Sequence, residues 1–233
     1  MAEKAASLRA RVRAEMTDEI KQTARRHLAV NGASNLSLRA VARDLGMVSS
    51  AVYRYFASRD DLLTALIIDA YDALGESVET AESAMERADL NGRYSAVCHA
   101  VRTWAKANPH EYALTYGSPV PGYVAPDDTI GPASRVVTVL LGVVSDGAGA
   151  GVLRPMPGDW LSPPVQTEMA RIVARAAPGV PPTVMARGMM AWTQLFGAVS
   201  FEVFGRLDMI IENKDAWFDH QVLATARVVG LRP

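Results

Sequence analysis

Apolar residues recur along this chain at steps of three and four, the spacing that gathers them on one face of a helix. Met16, Ile20, Ala24 and Leu28 predict a helix over about Thr17–Val30, stopped at Asn31-Gly32, a pair suited to the left-handed end of a helix. Upstream, residues 1–14 are rich in Ala and Arg, with Arg9, Arg11 and Arg13 in alternation, and predict an arm or a frayed first turn. Leu38, Val41, Ala42 and Leu45 predict a short second helix capped by Ser37 and ended by Gly46. A third is expected over Ser49–Phe56. The fourth opens at Ser58, with Asp61 three residues on as a short relative of the capping-box acid, and runs on through Leu62, Leu63, Leu66, Ile67, Ala70 and Leu74.

The helical spacing continues in stretches: Arg93–Ala107 up to Asn108-Pro109, then His110–Tyr116 up to Gly117-Ser118-Pro119. A loop with three prolines fills Pro119–Asp128. Thr129–Ser145 and Pro164–Ala176 follow, separated by the Gly- and Pro-rich Gly147–Pro163, and Pro182–Leu207 and Asp215–Val229 close the chain. No segment sustains the period-two alternation of a strand, so the fold class expected is all-α.

Charge divides the chain where the pattern does not. The formal net charge is −1, yet residues 1–60 carry eleven Lys/Arg against six Asp/Glu, and residues 61–233 carry thirteen against nineteen. A basic head on an acidic body suggests that only the head meets a polyanion. The boundary falls near residue 60, giving domains 1–60 and 61–233. One cysteine, Cys98, excludes an intramolecular disulfide framework and fits a reducing compartment. The longest apolar run, Val136–Ser145, is about half a bilayer span, and the N-terminus has no apolar core of a signal peptide. The expected location is cytoplasmic, with no membrane partner.

Two short helices about a tight turn at Gly46 have helix-turn-helix geometry; neither is stable alone, so both need the first helix as a platform. Leu38, Val41, Ala42 and Leu45 face inward from the second helix, and Val48, Val52 and Phe56 from the third. That leaves Arg39 and Arg43, then Ser49, Ser50, Tyr53 and Arg54, on the outside. Arg can read guanine edges, and hydroxyls and Tyr reach phosphates.

The stretch Leu36–Phe56 followed by Ser58-Arg59-Asp60-Asp61-Leu62-Leu63 resembles the TetR/AcrR family signature: a capped helix, a Gly turn, a recognition helix ending in Tyr-x-x-Phe, then a basic residue before Leu. The resemblance implies phosphate contacts from Ser37, Tyr53 and Arg59, and groove-facing roles for Arg39, Ser49, Ser50 and Arg54. Two positions depart from the pattern. Val48 stands where the recognition helix is usually capped, so Ser49 is expected to cap it instead; Tyr55 stands where many members carry His, and joins the candidate DNA contacts.

In the second half, Trp192-Thr193-Gln194-Leu195-Phe196-Gly197 resembles the Trp-x-x-x-His-Gly element of one C-terminal subclass, with Phe196 for His. Independently of that likeness, Met185, Met189, Trp192, Phe196, Val199 and Val203 make one apolar seam, and Met190, Thr193, Gly197, Phe201 and Phe204 a second. A helix apolar on two faces needs cover on two sides, one from its own domain and one from a partner copy. Homodimerisation is therefore expected through 182–207 and 215–229, the latter with Trp217, Phe218, Val222, Thr225 and Val229. Candidate effector contacts are Trp104, Tyr112, Tyr116, Tyr123, Trp192 and Phe196, aromatic groups that combine apolar area with polar handles; Ala100 is expected beside them. No spacing of His, Cys, Asp or Glu fits a metal site, and there is no nucleophile motif or phosphate-cradling Gly loop, so no cofactor and no metal are expected.

These readings converge on a transcriptional regulator that binds double-stranded, pseudo-palindromic operator DNA as a homodimer and is released by a small apolar or aromatic effector. Two other classes stay open. One is a small all-α enzyme with a basic N-terminus, which would turn over a substrate without DNA. The other is a constitutive DNA-binding dimer with a filled core and no ligand.

Overall fold

The computed structural model describes the backbone of residues 2–231 and the side chains of residues 8–231. Among the described residues, ten α-helices account for the architecture: α1 (Ala2–Asn31), α2 (Leu38–Asp44), α3 (Ser49–Val52), α4 (Arg59–Ser83), α5 (Leu90–Ala107), α6 (Pro109–Tyr116), α7 (Ile130–Gly149), α8 (Pro163–Ala176), α9 (Pro182–Val203) and α10 (Lys214–Val229), with short 3-10 turns at Ala33–Asn35 and Asp127–Thr129. No strand occurs among the described residues. The backbone is already helical at Ala2, so most of the expected arm is the first turns of α1; Met1 and the side chains of residues 1–7 lie outside the described residues.

The chain forms two compact units. The head unit contains residues 1–71 and 108–130, the body unit residues 72–107 and 131–233. The expected cut at residue 60 does not coincide with either boundary, for a packing reason. Leu62, Leu63, Leu66 and Ile67 of α4 are buried in the same core as Ile20, Ala24 and Leu28 of α1 and Leu38, Val41, Ala42, Val52 and Phe56 of the helix-turn-helix, and Leu114, Val120 and Tyr123 pack against that core from 108–130. The first half of α4 is thus a wall of the head.

Local signals set the helix ends. Gly46 adopts φ +65°, and Met47 N–H donates to Ala42 O at 2.8 Å, the six-to-one bond that ends a helix through a left-handed residue. Ser58 and Asp61 cap α4 reciprocally: Asp61 N–H donates to Ser58 Oγ at 3.0 Å, and Ser58 N–H donates to Asp61 Oδ2 at 3.1 Å.

In the body unit α9 is the central element, packed against by α5, α8 and α10. Its first seam faces inward, with Met185, Phe196 and Val199 buried. Its second seam is exposed throughout: Met190, Thr193, Gly197, Phe201 and Phe204 all face outward. From α10, Phe218, Val222, Ala226 and Val229 pack inward while Trp217 and Val228 are exposed. Three arginines anchor the interhelical contacts. Arg93 is buried and bonds Glu82 Oε1 at 2.5 Å and Asp146 Oδ2 at 2.8 Å. Arg135 reaches Glu79 from α7 at 2.8 and 2.7 Å and Asp72 at 2.9 Å. Arg102 donates twice to Glu202 at 2.7 Å and once to Asp215 at 2.6 Å. The guanidiniums of Arg93 and Arg102 are buried and are held charged by these carboxylates, without which their desolvation would be prohibitive.

Asp127–Gly149 is the one span among the described residues long and apolar enough to cross a bilayer by length and composition, well beyond the Val136–Ser145 run alone. Within the body unit its Val136, Leu140, Val143, Val144 and Gly147 are buried against neighbouring helices.

Candidate nucleic-acid interface

Two short helices carry the candidate interface, and their own sequence cannot hold them in place. α2 has seven residues and α3 four, far below the length at which helices persist alone in water. Their apolar sides settle the matter: Leu38, Val41, Ala42 and Val52 are each under 5% exposed, so the opposite sides must face solvent. Ser37 caps α2 by accepting from Ala40 N–H, a long bond of 3.5 Å. At the far end, His27 on α1 lies 2.7 Å from Asp44 Oδ2, fastening the last residue of α2.

Arg39, Ser50, Tyr53 and Arg54 are exposed together on this solvent side, with Ser49 half-buried beside them. Tyr53 ends α3 as its C-terminal cap residue, and the chain continues through tight turns to Phe56, so the regular helix is shorter than the expected Ser49–Phe56. Ser49 does not cap α3. The cap position is Val48, in extended conformation and without a side-chain bond, and Ser49 is the first helical residue. Nor does Val48 face inward: it is 71% exposed. A four-residue step predicts a shared face only inside a helix, and Val48 lies outside one.

Two predicted contacts are engaged within the head. Arg59 donates to the carbonyls of Ala33 at 2.9 Å and Ser34 at 3.3 Å, tying the α1–α2 turn to the start of α4. Tyr55 is half-buried against the core, and the guanidinium of Arg13 lies over its ring at 5.1 Å. Arg13 also donates to the Arg54 carbonyl at 3.0 Å. The sequence reading missed this residue as a support for α3; carrying the register of α1 back one turn from Thr17 would have found it.

Carboxylates on and beside the head face its own cations. Asp69 pairs with Lys21 at 2.9 Å and with Arg25 at 2.5 Å. Arg39 and Arg54 meet no carboxylate among the described ion pairs, so the outer side of the helix-turn-helix is cationic, as a phosphate backbone requires.

Residues 20–66 match the family described as bacterial regulatory proteins, tetR family, and residues 94–225 match the tetracyclin repressor-like C-terminal domain. HTH-type transcriptional regulators of Mycobacterium tuberculosis and Mycobacterium bovis are each 42% identical over 197 residues, covering 83% of this chain and 83% of theirs. The chain belongs to the TetR family. Among solved structures, the TetR-type fold recurs in the regulatory protein SCO4313, which superposes with a TM-score of 0.74 at 32% identity over 93% of this chain and 97% of that one. TetR-family proteins are transcriptional regulators, not enzymes, and bind operator DNA as dimers.

The aromatic residues expected around an effector fall in both units. In the head unit Tyr112 stacks on Tyr116 at 5.2 Å, and Tyr71 meets Tyr116 edge-on at 5.8 Å. Burial holds the Tyr116 hydroxyl protonated far above its ordinary range. Tyr123 packs on the head core, its hydroxyl 2.9 Å from Thr64 Oγ1. In the body unit Trp192 and Phe196 meet edge-on at 6.1 Å, and Trp104 is half-buried on α5. Ala100 lines a broad groove of the body unit with Ala73, Ser77, Thr80, Ala96 and His99 rather than an aromatic wall. No cluster of three potential metal ligands occurs among the described residues.

Proposed function

We propose that this chain is a cytoplasmic, ligand-released repressor acting as a homodimer on a pseudo-palindromic operator. The observation that carries it is the exposed cationic side of α2–α3, with Arg39, Ser50, Tyr53 and Arg54 outward and the opposite side fully buried. In this reading Ser37, Tyr53 and Arg59 contact phosphates, Arg39, Ser49, Ser50 and Arg54 meet base edges, and Tyr55 shapes the end of the recognition helix. Twofold symmetry sets two half-sites about one helical turn, roughly 34 Å, apart.

The dimer forms through α9 and α10. The exposed seam of α9 supports this, together with a groove of about 380 Å³ between the two helices lined by Met190, Gln194, Trp217, Gln221 and Val228. An apolar face of that size needs a cover, and a second copy supplies one by matching α9 and α10 with their own equivalents. The effector in this reading is a largely uncharged, apolar or aromatic molecule. To weaken operator affinity a hundredfold it must favour the released arrangement by roughly 2.7 kcal/mol.

The test begins by selecting bound sequences from random DNA with the full chain. Tyr53→Phe and Arg59→Ala should then weaken binding across all selected sequences and flatten its dependence on salt, whereas Arg39→Ala and Ser50→Ala should also change which bases are preferred. Unchanged affinity and salt slope in both Tyr53→Phe and Arg59→Ala would sink this docking. A panel of uncharged aromatic compounds that leaves the complex intact at every concentration would sink the release by effector.

A further inference from the structure

The DNA-binding surface contains one side chain that charge and hydrogen bonding leave unexplained. Val48 is 71% exposed and is absent from the residues that pack against the head core. It occupies the cap position of α3 and makes no cap bond. Ser, Thr, Asp or Asn there would accept from a free N–H of α3, and a helix of four residues is where such a bond matters most. Valine forgoes that bond and gains no burial in return. A lone exposed apolar residue is ordinary on a protein surface; Val48 differs in its place, immediately before Ser49 and Ser50 at the start of the recognition helix.

Docking of a helix-turn-helix brings the first residues of its second helix to the base edges of the major groove. Among the groups displayed there, the C5-methyl of thymine is the apolar one. We propose that Val48 reads thymine, its γ-methyl groups packing on the C5-methyl of one thymine in each half-site, which makes it a specificity-determining residue. The proposal rests on the operator-binding reading above. It assigns to an apolar contact one fixed base that the neighbouring serines and arginines would otherwise be credited with. Removing the methyl alone, by placing uracil for thymine, leaves every hydrogen-bonding edge of the base pair unchanged and isolates the contact.

Sequences bound by the full-length protein are selected from random DNA. Each fixed thymine is then replaced by deoxyuridine, and dissociation constants are measured for the unmodified protein and for Val48→Ala. At one thymine per half-site the replacement should weaken the unmodified protein about fourfold, the factor set by burial of one methyl group. Replacing it in both half-sites should weaken it about fifteenfold. Val48→Ala should bind the thymine and uracil sites equally, with an unchanged melting temperature because the side chain is exposed. Val48→Thr, which keeps one methyl and adds a capping hydroxyl, should melt higher and show an intermediate uracil penalty. Equal uracil penalties for the unmodified protein and Val48→Ala at every position, or an enriched site without a fixed thymine, overturn the proposal while operator binding stands. If no sequence is enriched at all, operator binding itself fails and the proposal with it.

Discussion

Truncating Phe201 tests the α9 face quantitatively. Phe201 is 56% exposed, and a phenylalanine side chain offers about 200 Å², so about 100 Å² in each protomer is left for a partner to cover. At about 25 cal/mol per Å² that area corresponds to about 2.5 kcal/mol. Twofold symmetry counts it once in each copy, giving about 5 kcal/mol as a ceiling, or a dimer dissociation constant raised by more than a thousandfold. Phe201→Ala should therefore raise that constant by at least tenfold in sedimentation equilibrium over a range of concentrations, and Phe201→Glu should leave monomers or aggregates, because an unpaired charge in an apolar interface is strongly unfavourable. Leu195→Ala serves as the contrast, since Leu195 faces inward and is 5% exposed. It should lower thermal stability by about 2–5 kcal/mol through the cavity it leaves. Sedimentation of the unmodified protein as a monomer at micromolar concentration, or dimerisation of Phe201→Ala as tight as that of the parent, would refute an interface at this face.

Three further outcomes follow from the geometry. Burial opposes ionisation of Glu202, but the hydrogen bonds from Arg102 and Lys106 outweigh it and hold its carboxyl below the ordinary 4.5; the stability this confers is complete above about pH 4.5 and lost as pH falls through the lowered value. Urea unfolding of Glu202→Gln should accordingly depend less steeply on pH below 4.5 than that of the parent, and equal slopes would count against the ion network. Burial pushes the Cys98 thiol up to about 12, leaving about one thiolate in ten thousand at pH 8, so the native protein should react with iodoacetamide only as fast as it unfolds; rapid labelling would refute the buried placement. Arg13→Ala should loosen operator binding about fivefold through loss of its bond to the Arg54 carbonyl without altering base preference, and a changed preference in selected sequences would show that Arg13 reads DNA directly.

The parts of the fold legible in the sequence are those written in local chemistry. Asn31-Gly32, Ser37, Gly46 and the Ser58–Asp61 pair each act within a few residues of themselves, and each ends or starts the helix it was expected to. The double seam of α9 was legible for the same reason, since a period of 3.6 separates its two faces without reference to anything outside the helix. The early start of α1 was not, because Leu8 and Val12 are about half exposed and no apolar face accompanies those turns. The ion networks were hidden by distance: Arg102 and Glu202 lie a hundred residues apart, and nothing in either neighbourhood names the other. Val48 misled because spacing was applied one residue beyond the helix that gives spacing its meaning. The head extended past residue 60 because net charge reports on the surface, whereas Leu62, Leu63, Leu66 and Ile67 mark the core.

Gly46 sets the angle between α2 and α3, and what it demands is handedness rather than room. Its φ is +65°, and a methyl group placed on its Cα would meet nothing within 4 Å. An L-alanine there would be strained by about 1–2 kcal/mol because of its chirality alone, although solvent would accommodate its side chain without contact. A D-alanine, introduced by joining a synthetic peptide to the remaining chain, prefers this same region of backbone space and should be accepted without distortion. It should even stabilise the head by about 0.4–1 kcal/mol, since it narrows the conformations open to the unfolded turn. The junction between the two DNA-facing helices is thus a position where mirror-image chemistry would do what no genetically encoded side chain can: stiffen the turn and leave its geometry as it stands.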